Sequence, residues 1–337
     1  MKLTVNQVMQ KAVNEQNEGN FEEAERLYQA ILKAESKNPD ANHNLGALNV
    51  SLKKIDIGLS FLKIALDLDS SREQFWVSYI AILIDSGHFE EAKKNLKKAK
   101  EKGFKSEKFT TLEAYAYFNL GNSLKGMGRL EEAEESYRQA IILNPDSAIA
   151  HNALGYILQK GWRLEEAEAS YRQAISLESD HAASFSNLGT ILHQLGRSEE
   201  ALVMYTQAIT LKPDFAEAFH NLGNTQVELG RLEEAEASYS QVIKYIPNFS
   251  QALLNRGQIL FNKGMFDMAL KDFDVCNTPD SKVRALWCLY ALGESENIYK
   301  RIKLYSEVNE DNIPMAAFSS FFAETQKKDN ANNFCKN

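Results

Sequence analysis

One string of residues returns along this chain at a fixed spacing, and that spacing leaves few folds open. Tyr117, Leu120, Gly121, Leu124, Gly128, Ala133, Tyr137, Ala140 and Pro145 recur 68 residues later as Phe185, Leu188, Gly189, Leu192, Gly196, Ala201, Tyr205, Ala208 and Pro213. After a further 34 residues they return as Phe219, Leu222, Gly223, Gln226, Gly230, Ala235, Tyr239, Val242 and Pro247. The skipped register holds a weaker copy: His151, Leu154, Gly155, Leu158, Ala167, Tyr171 and Ala174. Such a period means one supersecondary unit stacked on copies of itself, because a single unit cannot bury its own apolar face.

Within each unit, positions 4, 7, 8 and 11 are apolar or Gly at helical spacing, a turn signal (Gly128, Gly230) interrupts, and positions 20, 24 and 27 give a second apolar stripe. Each unit therefore reads as two helices joined by a tight turn. Small residues at positions 8 and 20, such as Gly121 with Ala133, are expected to let the paired backbones approach closely while aromatics at 4 and 24 fill the gaps. Pro145, Pro213 and Pro247 are expected to stop the second helix for want of an N–H donor.

A 34-residue period with an aromatic, Leu-Gly, Ala, aromatic and Pro in this order resembles the tetratricopeptide repeat family. The resemblance implies an all-α, right-handed superhelical solenoid of about eight helix-turn-helix repeats with C-terminal capping helices. The register gives units at 114–147, 148–181, 182–215, 216–249 and a decaying one from 250 to 277. Upstream, Gly19, Phe21, Ala24, Tyr28 and Ile31 mark a unit at 5–38, Leu45, Gly46, Leu62 and Ala65 one at 39–72, and Trp76, Gly87, Ala92, Leu96 and Ala99 one at 73–106. Seven residues, Glu107 to Glu113, break the period, and at 3.6 residues per turn they should lengthen a helix or kink the array. The expected organisation is an N-terminal block of three degenerate units (1–106), a C-terminal block (107–277, the insert followed by five units) and a helical cap with a polar tail (278–337).

The net charge of −8 comes largely from runs such as Leu130 to Glu134 and Leu232 to Glu236, which open second helices, where carboxylates favour the helix N-terminus. No basic stripe with interleaved aromatics argues for nucleic acid, and the lysines of Lys93 to Lys100 form the wet face of a helix carrying Ala92, Leu96 and Ala99 opposite. Met1 to Gln10 lack the apolar core of a signal peptide, and no run has the length of a membrane span, so membrane insertion is not expected. Cys276, Cys288 and Cys335 have neither metal-ligand nor disulfide spacing, and a reducing cytoplasm is the expected location.

Candidate chemistry is sparse. His88-Phe89-Glu90 follows the turn glycine Gly87 and reads as the start of a second helix, with no third metal ligand at a defined spacing. His151 replaces the position 4 aromatic and reads as a core or seam residue, while His43, His193 and His220 are too far apart in register to form one catalytic group. With no phosphate-cradling loop, nucleophile elbow or paired-carboxylate motif, the expectation is a chain that is not itself an enzyme and uses no cofactor or metal.

Binding is the better-supported class. On a wheel of about 100° per residue, positions 2, 5, 6, 9, 12 and 13 of the first helix lie opposite the packed face, the side that lines the concave groove in tetratricopeptide solenoids. Position 6 is Asn44, Asn119, Asn187, Asn221 and Asn255, with Ala153 as the break. An amide offers one acceptor and two donors, enough to hold a peptide unit without reading its side chain, although local bonding between helices would equally explain the asparagines. The ladder resembles that of O-linked N-acetylglucosamine transferases, which implies a polypeptide ligand held in extended form. Around it lie Tyr115, Phe118, Asn122, Asn152, Tyr156, Thr190, His193, His220, Asn224 and Gln258. Position 5 carries Met9, His43, Val77, Phe118, Asn152, Ser186, His220 and Leu254 but no lysine, so the carboxylate clamp of chaperone-adaptor arrays is not expected.

Two features stand outside the pattern. Arg256 occupies a position where other central repeats have Leu, so either an acid such as Asp272 pairs with it or the last repeat packs loosely, and replacing it with Leu should leave stability unchanged or raise it. Beyond Pro279 the register dissolves into Ala285 to Leu292, a stretch through Ile302 and Tyr305, an amphipathic helix at Pro314 to Thr325 and a polar finish, Lys327 to Asn337. This tail resembles junctions in bacterial multidomain proteins where a repeat array leads into an iron and 2-oxoglutarate oxygenase or a glycosyl-, sulfo- or methyltransferase. The expected function is a protein-interaction scaffold binding an extended polypeptide; the alternative is the substrate-recruiting part of a larger enzyme with its catalytic domain beyond Asn337.

Overall fold

A computed structural model of the protein describes residues 4–306 and 317–325. Residues 1–3, 307–316 and 326–337 lie outside the described residues, and with them Cys335, Lys327 to Asn337 and the first residues of the helix expected from Pro314. All regular structure among the described residues is helical. The first unit, Met1–Glu178, contains α1 (Val5–Asn17), α2 (Phe21–Ala34), α3 (Pro39–Ser51), α4 (Ile55–Leu68), α5 (Glu73–Asp85), α6 (Phe89–Glu101), α7 (Glu107–Gly126), α8 (Leu130–Leu143), α9 (Ala148–Lys160) and α10 (Leu164–Leu177). The second, Ser179–Asn337, contains α11 (Ala182–Gln194), α12 (Ser198–Leu211), α13 (Ala216–Glu228), α14 (Leu232–Tyr245), α15 (Ser250–Asn262), α16 (Phe266–Cys276), α17 (Pro279–Ala291), α18 (Ser295–Ser306) and a short helix, α19, over 317–325.

Odd and even helices pair as hairpins from α1–α2 to α15–α16, and successive hairpins stack within each unit. The seven inserted residues are helical: they lengthen α7 to 20 residues, where the other first helices have 13. Each hairpin closes with a residue in the left-handed region. In most it is glycine, as at Gly128 (φ +75°), where Arg129 N–H reaches back to Leu124 O at 2.9 Å, but it is Lys53 (φ +61°) between α3 and α4 and Trp162 (φ +58°) between α9 and α10.

The close approach at position 8 differs from expectation. A Cβ on Gly121 would meet the Tyr137 ring at 2.7 Å, and Gly155, Gly189 and Gly223 face Tyr171, Tyr205 and Tyr239 in the same way. The glycine makes room for the ring at position 24, not for a second backbone. Direct backbone approach occurs in the degenerate unit at 39–72, where positions 8 and 20 are both glycine and a Cβ on Gly46 would lie 3.0 Å from Gly58 O.

Proline also plays a smaller part than expected. Second helices end two residues before it, at Leu143, Leu211 and Tyr245, and the intervening residue is extended, as at Asn144 (φ −139°, ψ 85°). The residue before proline is sterically kept out of the helical region. Yet Glu178, followed by Ser179, adopts the same conformation (φ −132°, ψ 97°), as do Glu35 and Asp69, so the ending does not require proline.

Arg256 is paired. Its Nε and Nη2 donate to Asp272 Oδ2 and Oδ1 at 2.8 and 2.6 Å, and Nη1 donates to Ser240 Oγ at 3.0 Å. The side chains of Arg256 and Asp272 are 22% and 7% exposed, so the last repeat holds a well-bonded ion pair, and the expectation that Leu would be tolerated at 256 no longer stands. Beyond it α17 covers the repeat, burying Ala285 and Cys288 against Leu260, Ala269 and Phe273. Val283, Leu286, Leu289, Ile298, Phe318 and Phe322 then form a separate apolar cluster joining α17, α18 and α19.

Candidate functional site

First helices of neighbouring repeats touch directly, α1 with α3, α3 with α5 and α11 with α13. Their buried stripe is wider than the sequence wheel suggests. On α9 it comprises Ala148, Ala150, Leu154, Gly155, Ile157 and Leu158, so positions 3 and 10 are buried as well as 7, 8 and 11. Position 4, as His151 or Phe219, is only half-buried, and the His151 Nε2 lies 3.0 Å from Pro145 O. A first helix packs on two neighbours, its own second helix and the adjoining repeat, which widens the stripe at the expense of the open face.

In the first unit Tyr115 is 45% exposed and donates its hydroxyl to Asp85 at 3.1 Å. Asn119 Nδ2 donates to Tyr115 O at 2.9 Å, within its own helix. Phe118 is half-buried beside the Tyr137 ring, Asn152 is half-buried and Tyr156 is 37% exposed. Asn44 donates to Met9 Sδ at 3.6 Å and lies 3.2 Å from His43 Nδ1, while His43 Nε2 lies 2.9 Å from Ser78 Oγ.

In the second unit Asn187 and Asn221 are half-buried. Asn255 Nδ2 donates to Asn224 Oδ1 at 3.1 Å and to Tyr239 OH at 3.2 Å, tying α15 to the preceding hairpin. His193 lies 3.3 Å from Glu228 Oε1 and 3.4 Å from Thr225 Oγ1. His220 sits edge-on to Phe249 and near Tyr239, with its Nε2 buried and without a hydrogen-bond partner, and burial pushes its pKa down. Gln258 donates to Asn262 and accepts from Arg284, at the edge of a cavity of about 300 Å³ that Phe261, Phe273 and Trp287 also line.

Sequence reasoning missed the partner of the buried tyrosines. Tyr137 OH donates to Asn122 at 2.9 Å, Tyr239 OH to Asn224 at 2.7 Å and Tyr205 OH to Thr190 at 3.3 Å, so three predicted surface residues at position 9 satisfy a position 24 hydroxyl. The signal was available, since a polar residue at position 9 accompanies a tyrosine 15 residues later. Burial raises the Tyr137 and Tyr205 pKa values to about 12. Also unforeseen was the run of turn arginines, Arg129, Arg163 and Arg197, each bonded to the glutamate three residues on.

Among the described residues no group of three or more His, Cys, Asp or Glu could hold a metal ion, and no helix is long and apolar enough to cross a membrane. What the surface offers is amide, hydroxyl and aromatic groups in a repeating arrangement, which suits adaptable polypeptide contact.

These features define an all-α helical-repeat protein. Tetratricopeptide repeat family models match residues 114–147, 148–181 and 216–249, and a TPR repeat model matches 189–230. The chain thus carries tetratricopeptide repeats over residues 114–181 and 189–249, and such repeats support a protein–protein interaction scaffold. No curated protein matches the sequence. Among solved structures, PilF of Pseudomonas aeruginosa is 21% identical with a TM-score of 0.53, covering 63% of this chain and 98% of its own, which bears on the fold alone. YrrB, described as a TPR protein with an unusual peptide-binding site, is 25% identical (TM-score 0.45; 59% of this chain, 97% of its own). MamA is 21% identical (TM-score 0.45; 55% and 96%).

Proposed function

We propose that the protein holds extended polypeptide segments along the first-helix faces of its repeats and carries out no chemistry of its own. The observation that supports this most is on α7 and α9, where Tyr115, Asn119, Asn122, Asn152 and Tyr156 leave aromatic rings and amides at least partly open on adjoining repeats. Amides bind backbone shared by all peptides, and the rings select side chains.

The experiment is a peptide array probed with the full chain. Asn44→Ala with Asn119→Ala, and separately Asn187→Ala with Asn221→Ala, should weaken many peptides by a similar factor. Tyr115→Ala or Tyr156→Ala should change which sequences bind. Unchanged array patterns for all four, with helicity retained, would overturn the proposal.

A further inference from the structure

The turn end of α7 and α9 carries charge and strain that repeat packing does not explain. Six basic residues lie between 114 and 178, and all four arginines are ion-paired: Arg129 with Glu132, Arg138 with Glu134, Arg163 with Glu134 and Glu166, and Arg172 with Glu168. The two lysines, Lys125 and Lys160, have no carboxylate partner among the described residues. Instead both ammonium groups lie over the same ring, that of Tyr156, at 5.5 and 5.4 Å from its centroid. Two like charges on one partly exposed ring, in a chain of net charge −8, form a local positive site that an anionic group would complete.

Two residues beyond Lys160, the turn breaks its own rule. Its left-handed position is glycine at 19, 87, 128, 196, 230 and 264 and the flexible Lys53 (φ +61°) in the unit at 39–72, whereas residue 162 is tryptophan, the bulkiest side chain, at φ +58°. A bulky side chain is unfavourable there, and this one is 75% exposed, so packing does not repay the strain. At the neighbouring turn Met127 is 67% exposed. An indole held out at a strained turn, two residues from a lysine that shares the Tyr156 ring with a second lysine, is the make-up of a contact anchor.

We propose that this end of the first unit docks an acidic polypeptide segment, with Lys125 and Lys160 taking its carboxylates beside Tyr156 and Trp162 lying against an adjacent apolar side chain. The assignment rests on the polypeptide-binding reading above and names the ligand class for one part of it. Charge complementarity selects the acidic partner, since the neighbouring arginines are already neutralised.

The test is fluorescence anisotropy with the full chain and two labelled peptides, one alternating glutamate and leucine, the other glutamine and leucine. The glutamate peptide should bind about tenfold more tightly, as two partly exposed charge contacts allow, and Lys125→Gln with Lys160→Gln should abolish that preference. Lys94→Gln with Lys98→Gln removes the same charge from α6 and should leave most of the preference in place. Trp162→Gly should weaken both peptides while raising the melting temperature. Three results would overturn the site: equal binding of the two peptides, no binding of either, or equal losses from the two lysine pairs. A Trp162→Gly chain that melts lower and binds as before would overturn the anchor. If the peptides bind equally and both weaken in the Asn44→Ala, Asn119→Ala chain, the acidic site fails and the broader polypeptide reading stands.

Discussion

The repeats at 216–249 and 250–276 share one plan and differ in how they hold their two helices together. In the first, Tyr239 lies against Gly223 and its hydroxyl bonds Asn224. In the second, Phe273 lies against Gly257 with no hydroxyl to place, and position 7 holds Arg256 locked onto a buried Asp272 where its neighbour has Leu222. The ring against glycine is therefore the part these two hairpins share, and the polar groups around it are exchangeable if they are satisfied together. A single change that strands one polar partner should do more harm than a double change that removes both.

The largest effect should come from Arg256→Leu, which leaves Asp272 buried without its cation and should destabilise by about 3–5 kcal/mol in urea unfolding. Adding Asp272→Leu should restore most of that loss. If the single and double variants unfold alike, the pair contributes packing and not charge compensation.

Next is Gly223→Ala. Its Cβ would meet the Tyr239 ring at 2.8 Å, and the ring is fully buried, so a loss of about 1–3 kcal/mol is expected despite the better helix propensity of alanine. Adding Tyr239→Leu, which vacates that volume, should make the alanine tolerable.

Tyr239→Phe, which brings the first repeat closer to the second, should be milder, about 1 kcal/mol, because it strands one bond each of Asn224 and Asn255. Alkaline pH probes the same hydroxyls across the array. Tyrosines with pKa near 10 unfolded and about 12 folded, as for Tyr137 and Tyr205, keep their proton in the folded state alone over that interval. Their contribution is full below pH 10 and lost as pH rises through 12. Melting temperature should therefore fall between these values, and less so in Tyr137→Phe.

The smallest effect concerns acid. His220 is held neutral by burial, so its contribution is present above its ordinary pKa near 6.5 and declines as pH falls below it, because the unfolded chain takes up the proton first. The groups facing it are Glu217 and Asn221 on its own helix and the Tyr239 and Phe249 rings. His220→Phe should flatten the stability curve between pH 7 and 5.

Most of the hairpin architecture was legible because the repeat writes the same contact several times: Gly121 with Tyr137 and Gly223 with Tyr239 are one contact in two copies. What that contact does was not legible, since spacing shows that two positions meet but not whether backbone or ring fills the gap. The insert was visible as a slipped register, and of the two outcomes it left open, a longer helix or a kink, α7 shows the longer helix. The face of the first helices was read less well. A wheel for one helix cannot know that the next repeat also buries positions 3 and 10, and a row of asparagines looks alike whether it bonds inward, as Asn255 does, or outward. Trp162 was passed over because its position is defined by a backbone angle, which the sequence shows only where glycine marks it.

The central claim is that the first-helix faces hold polypeptide, and hydrogen exchange on the full chain with and without a bound array-selected peptide tests it most directly. The account predicts added protection in peptides spanning 107–126 and 148–160, the α7 and α9 segments, with little change in α8 and α10. Protection confined to the second helices, with α7 and α9 unchanged, would contradict it.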